Sequence, residues 1–160
     1  MSNSNESVVP HIQVCSLEAA KEADINGYDG IITIEDSEIR DPFRVESGYP
    51  PQRVLSFDDI AAPIDDWVVP TEHHVRSALT FARQWEQPSL LIHCHAGMSR
   101  SPAIALAIFA DWLGSMKEDE AVSELLKTAH LCTPNKLLVE ITDRVLCREG
   151  RLIEACEKAI

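Results

Sequence analysis

Leu90-Leu91-Ile92-His93-Cys94-His95-Ala96-Gly97-Met98-Ser99-Arg100-Ser101-Pro102 is the stretch from which the rest of the chain can be read. Leu90 to Ile92 are apolar without a break, as in a strand covered on both faces. Ser101 and Pro102 pair a favoured N-cap residue with the helical position proline prefers. Ala103 to Trp112 then run almost wholly apolar, which predicts a buried helix. Between strand and helix lie Cys94, five loop residues and Arg100. A loop turning into a helix N-terminus directs backbone N–H groups inward and adds the positive end of the helix dipole. Gly97 lets the backbone turn where a Cβ would clash. Arg100 offers a planar fork that matches two phosphate oxygens. Positive surroundings of this kind favour the thiolate form of a cysteine. The stretch reads as an anion cradle, His95 to Arg100, with a nucleophile, Cys94, at its floor.

Outward from that loop, the chain alternates strands and helices and then becomes purely helical. His11 to Cys15, Gly30 to Ile34 and Arg53 to Phe57 read as strands, with a helix over Leu17 to Asp24 that Ser16 can cap. The segments 35–52 and 58–69 read as loops bordering the pocket. Pro70 and Thr71 open an amphipathic helix with Val75, Ala78, Leu79, Ala82 and Trp85 on one face, and the strand Ser89 to His93 follows. Helices are expected from Ser101 to about Gly114, from Glu118 to His130, from Thr133-Pro134-Asn135 through Val145, and from Arg151 to Ile160. This order predicts an α/β fold, a mostly parallel central sheet flanked by helices with a helical C-terminal layer. Residues 1–10 read as a polar, disordered tail and 11–160 as one domain.

Composition narrows the function. The 160 residues are 45% hydrophobic and 25% charged, ordinary for a globular protein. No apolar run approaches the roughly eighteen residues of a membrane helix, and the N-terminus has no secretory pattern. A net charge of −12 repels nucleic acid and anionic lipid at long range, so neither is an expected partner. A substrate phosphate must be captured by fields local to the pocket. Five cysteines, an odd number without paired spacing, fit a reducing cytoplasm. Cys15, Cys132, Cys147 and Cys156 lie on apolar faces and read as core residues. His73 and His74 are adjacent and no Cys-x2-Cys occurs, so no metal site or cofactor is expected.

A bare Cys and Arg six positions apart is a weak signal. The fuller string resembles the cysteine-dependent protein tyrosine phosphatases, whose loop is His-Cys-x5-Arg-Ser/Thr. The form His-Cys-x-x-Gly-x-Ser-Arg-Ser is most similar to their compact dual-specificity branch and its bacterial relatives. The likeness to a group of predicted bacterial tyrosine phosphatases extends over Val54 to Ile60, Pro70 to Val75 and Thr133-Pro134-Asn135, most of the chain.

The resemblance implies a phosphotyrosine phosphatase-like fold and a phosphocysteine mechanism on phosphotyrosine proteins or small aryl phosphates, with phosphate or another oxyanion held in the loop. It makes Cys94 the nucleophile and Arg100 the phosphate clamp. It makes Ser101 the hydroxyl that assists thiolate departure, besides its N-cap reading. His93 would orient the loop through hydrogen bonds, and Asn135 would brace it or simply start a helix. Ser99 is expected to bond within the loop, and His95 and Met98 to form the pocket rim. A loop Asp upstream of the Cys would protonate the leaving oxygen. Asp58, Asp59, Asp65 and Asp66 compete for that role on spacing, and the match of Val54 to Ile60 favours Asp59. Three other readings stand beside this one. They are a phosphate-binding pseudophosphatase without turnover, a phosphoinositide phosphatase (disfavoured by a loop with no Lys), and a sulfurtransferase or arsenate reductase using Cys15 or Cys132 as a resolving thiol.

Overall fold

The computed structural model describes residues 9–160. Of the expected tail, residues 1–8 lie outside the described residues. Pro10 is buried, and His11 N–H at the start of the first strand donates to the Pro88 carbonyl.

Four strands form one parallel sheet in the order β1-β4-β2-β3. They are β1 (His11–Cys15), β2 (Gly30–Glu35), β3 (Gln52–Ser56) and β4 (Ser89–His93). The period-two alternation of a strand sends neighbouring residues to opposite faces. Ile12, Val14, Ile32, Ile34, Leu55, Leu90 and Ile92 enter the main core. Ile31 and Leu91 enter a second, smaller one with Ala20. Both faces are covered, which is why Leu90 to Ile92 of β4 read as an unbroken apolar run and β2 is apolar except at Thr33 and Glu35. The expected mostly parallel sheet is found, with every pairing parallel.

The small core is closed by α1 (Leu17–Glu22) and by Phe43 and Val45 from the loop after β2. The main core is closed by α2 (Glu72–Ala82), α3 (Arg100–Leu113), α4 (Glu118–Thr128), α5 (Lys136–Val145) and α6 (Arg151–Ala159). Helix α3 is buried from Arg100 to Ala110, and α2, α4 and α5 pack around it. Helix α2 stops at Ala82, short of Trp85. That indole instead packs edge-on to Phe81 and over Gly30, where a Cβ would stand 2.7 Å from it.

Two sequence readings are corrected here. Helix α3 begins at Arg100, so Ser99 and not Ser101 occupies the N-cap position. Ala103 N–H makes the helix's first bond, to the Ser99 carbonyl. Pro102 therefore sits where an N–H has no intrahelical partner, and it is tolerated two positions deeper than expected. Cys147 is exposed rather than core, at a left-handed φ of 58° where the chain leaves α5.

A buried polar joint, unmarked by any motif, ties the C-terminal helices together. Arg148 donates to the Ala110 carbonyl at 2.7 Å, the Gly114 carbonyl at 3.1 Å and the Glu118 carboxylate at 2.8 Å. Asp143 accepts from the N–H groups of Gly150, Leu152 and Ile153 and so caps α6. Among the described residues no helix is long and apolar enough to cross a membrane.

Candidate active site

The carboxyl ends of β2, β3 and β4 converge, and α3 starts beside them, which is where open parallel sheets place their ligand crevices. Cys94 is the first residue past β4 and is buried. Gly97 has φ +76°, and a Cβ there would stand 2.7 Å from the Cys15 carbonyl carbon. Conformation and space both demand glycine at that position. The turn brings the Gly97 N–H to 3.2 Å from Cys94 Sγ, to which it donates. The Ser101 hydroxyl lies 3.2 Å from the same sulfur. Cys94 and Ser101, expected together, are in contact. His95 and Met98 are exposed at the loop's outer side.

Arg100 is buried, and its Nη1 is fixed by two partners, the first through a hydrogen bond and the second through an ion pair. These are the Phe57 carbonyl at 2.8 Å and an Asp36 carboxylate oxygen at 2.8 Å. Nε is buried without a hydrogen-bond partner. A buried donor left unpaired is costly, and an incoming oxyanion would satisfy it. A narrow crevice of only about 10 Å³, lined by Asp36, Phe43, His93, Cys94 and His95, lies beside the loop. A wider apolar groove of about 410 Å³ lies elsewhere, along α5 and α6, lined by Pro134, Val139, Ile153 and Cys156.

His93 is buried, and burial pushes its imidazole down to about 4, against smaller upward effects of the Cys94 carbonyl and the Glu35 charge. Its Nε2 lies 2.8 Å from the Thr33 hydroxyl, which accepts from Gln52 Nε2 at 2.7 Å. The Cys94 carbonyl, 3.4 Å from Nδ1, can only accept, which places the ring proton on Nδ1 and leaves Nε2 to accept from the Thr33 hydroxyl. A neutral histidine thus holds the peptide of the nucleophile from behind. Gln52 also holds the covering loop, accepting from Val45 N–H and donating to the Phe43 carbonyl.

The four candidate acids separate cleanly. Asp58 is buried and accepts from Ser37 N–H at 3.0 Å, Ser37 Oγ at 2.7 Å and Val68 N–H at 2.7 Å. Burial alone would raise its carboxyl. The bonds from Ser37 and Val68, with the Arg100 charge, outweigh that and hold it below the usual carboxylate range. Asp58 is a staple between loops, and the alternative that made it the acid does not fit its surroundings. Asp65 and Asp66 are exposed, and neither side chain makes a hydrogen bond or ion pair among the described residues. Asp59 is exposed but tied to the cradle, with its Oδ1 accepting from Ser99 Oγ at 2.8 Å and Asn135 Nδ2 at 2.9 Å.

Ser99 therefore bonds to the acid loop and not within its own loop, correcting the sequence reading. Asn135 braces the cradle, but by its backbone, whose N–H donates to the Ser99 carbonyl at 3.1 Å. Its side chain caps α5 at Leu138 N–H. Sequence reasoning missed Asp36, Thr33 and Gln52. Asp36 had one available signal, a charge directly after a fully buried strand, but nothing in the sequence told which cation it meets. Of the proposed resolving thiols, Cys15 pairs in register with His93. Burial pushes it up to about 11, and the nearby Cys94 adds to that. Cys132 is buried in the main core.

No protein-family model and no curated protein sequence matches the chain. Solved structures do. Human DUSP28 superposes with a TM-score of 0.61 at 16% identity, over 92% of this chain and 97% of that one. The human tyrosine phosphatase-like serine/threonine/tyrosine-interacting protein gives 0.57 at 18%, over 87% and 93%. Tk-PTP in its active form gives 0.56 at 18%, over 88% and 95%. The chain thus has the fold of the compact tyrosine and dual-specificity phosphatases.

Proposed function

We propose that residues 11–160 form a cysteine-dependent phosphomonoester hydrolase, a protein tyrosine phosphatase working through a phosphocysteine. One observation carries the reading. A buried cysteine sulfur lies within 3.2 Å of a loop N–H and a serine hydroxyl, and the arginine closing the loop is held on one side with a buried donor unpaired.

Cys94 attacks as thiolate, so the S–P bond forms while the ester P–O bond breaks. Arg100 and the loop N–H groups hold the equatorial oxygens as charge shifts among them. Asp59 gives its proton to the leaving oxygen. In the second step Asp59, now a carboxylate, takes a proton from water, the water oxygen attacks phosphorus and the P–S bond breaks. The Ser101 hydroxyl, 3.2 Å from the sulfur, donates to the departing thiolate. The chemistry calls on no metal or cofactor.

Phosphotyrosine proteins and aryl phosphates are the substrates this reading favours, and a net charge of −12 disfavours polyanionic inositol lipids. Five free thiols suit a reducing cytoplasm. A reductase is disfavoured because the thiol beside Cys94, that of Cys15, is pushed up to about 11 and attacks poorly. Release of orthophosphate from p-nitrophenyl phosphate tests the proposal and separates turnover from mere binding. Cys94→Ser is expected to lower the rate by roughly 10³-fold or more. Activity that survives this change would refute the mechanism.

A further inference from the structure

We propose that Ser99 and Asn135 are positioning residues for the general acid, holding Oδ1 of Asp59 so that Oδ2 carries the proton to the leaving oxygen. This rests on the phosphatase reading above.

A carboxylic acid has one carbonyl oxygen, which accepts, and one hydroxyl oxygen, which donates. An oxygen that receives two hydrogen bonds is the carbonyl one. Asp59 Oδ1 receives two, from Ser99 Oγ at 2.8 Å and from Asn135 Nδ2 at 2.9 Å. Neither donor is free to wander. Asn135 Nδ2 also donates to the Ile60 carbonyl at 3.0 Å, so the amide spans the acid and its next residue. Asn135 Oδ1 accepts from Leu138 N–H at 3.0 Å, which fixes the amide's orientation and rules out a flipped assignment. Ser99 is the residue before Arg100, and its carbonyl accepts from Asn135 N–H. Thr133 N–H donates to the Met98 carbonyl at 2.8 Å. The segment 133–135 is thus a strut that joins the phosphate loop, the acid loop and the start of α5. On the other flank Asp58 anchors the acid loop to Ser37 and Val68. The acid is registered against the same loop that holds phosphorus, with its proton confined to one oxygen. In the first step the Oδ2–H bond breaks as the leaving oxygen takes that proton and its bond to phosphorus breaks.

The test compares kcat/KM across aryl phosphates from p-nitrophenyl phosphate, whose phenol leaves well, to phenyl phosphate, whose phenol leaves poorly. The chains compared are the unaltered one, Asp59→Asn, Ser99→Ala, Ser99→Thr and Asn135→Ser. Serine at 135 keeps an N-cap oxygen for α5 but removes the amide donor. The unaltered chain should depend weakly on leaving group, and Asp59→Asn steeply. Ser99→Ala and Asn135→Ser should move toward the steep case, with phenyl phosphate losing about 10–100-fold and p-nitrophenyl phosphate only a few-fold, within the range general acid catalysis supplies. Ser99→Thr, which restores a hydroxyl, should return most of that loss. Equal losses across the series in both variants, or no loss, would overturn this proposal while leaving the phosphatase reading intact. An unaltered chain that hydrolyses none of the series would overturn both.

Discussion

Replacing Asp36 with alanine removes the ion-pair partner that, with the Phe57 carbonyl, orients Arg100. Nη1 of that arginine reaches the Phe57 carbonyl and an Asp36 oxygen, each at 2.8 Å. The arginine side chain is 5% exposed and the aspartate 47%, so the pair is buried at one end and wet at the other. Fully exposed pairs contribute about 0.2–1 kcal/mol, and breaking a fully buried one costs about 3–5 kcal/mol. Screening on the aspartate side puts this pair near the low end, at about 1–2 kcal/mol. Expressed in the transition state, about 1.4 kcal/mol is tenfold in rate. Asp36→Ala should therefore lower kcat/KM for p-nitrophenyl phosphate by about tenfold, because the guanidinium then swings on one remaining bond. Asp36→Asn keeps an acceptor oxygen in place without the charge and should cost no more than about threefold. Steady-state kinetics at neutral pH, with thermal unfolding measured alongside, decides the matter. The reasoning fails if Asp36→Ala leaves kcat/KM unchanged. It fails equally if both variants lose the same activity in proportion to lost stability, for then Asp36 only supports the loop after β2.

Burial holds His93 near 4 in the folded chain, against about 6.5 unfolded. The unfolded state therefore binds the extra proton first. Stability should be constant above about pH 6.5 and fall on the order of 3 kcal/mol as pH drops toward 4. Urea unfolding from pH 7 to 4 should show this slope, reduced in His93→Gln, and an identical slope in the two chains would contradict the neutral, buried histidine. Arg148→Ala should destabilise by about 3 kcal/mol. It strips the buried Glu118 carboxylate of its main cation and takes a donor from two carbonyls at the end of α3, with Met116 N–H at 3.1 Å and Arg151 at 3.3 Å left on the carboxylate. Chemical denaturation measures this directly, and a loss below about 1 kcal/mol would show the joint to be dispensable.

What could be read from the sequence was local. An apolar triplet, a glycine and an arginine lie within a few residues of one another at Leu90 to Arg100, and backbone rules connect them without knowledge of the rest of the chain. The parallel sheet followed from the alternation of strands and helices. The contacts that finish the site are long-range, and no period or spacing encodes them. Asp36 meets Arg100 because β2 lies beside β4, an adjacency the chain order alone does not reveal. The link from Gln52 through Thr33 to His93 joins three strands in the same way. Ser101 was misread as a cap because proline is tolerated throughout a first helical turn, so Pro102 marks the start only to within two residues. Cys147 was misread because α5 ends just before it and the left-handed turn swings it outward.

Asp58 and Asp59 show why adjacency in sequence says little about chemistry. They share a loop and a residue type. One is buried, receives three hydrogen bonds and is held below the usual carboxylate range. The other is exposed and is held by one oxygen only. A group saturated with donors has its charge fixed and no proton to give, so it can only fasten its neighbours. A group held at one oxygen has a direction and a free second oxygen, which are what proton transfer requires. The environment of Asp58 serves Asp59 as well, because the staple to Ser37 and Val68 restrains the loop in which the acid is set. Replacing only the buried member, as in Asp58→Asn with Asp59 intact, would therefore be felt as a loosened acid, not as a lost one.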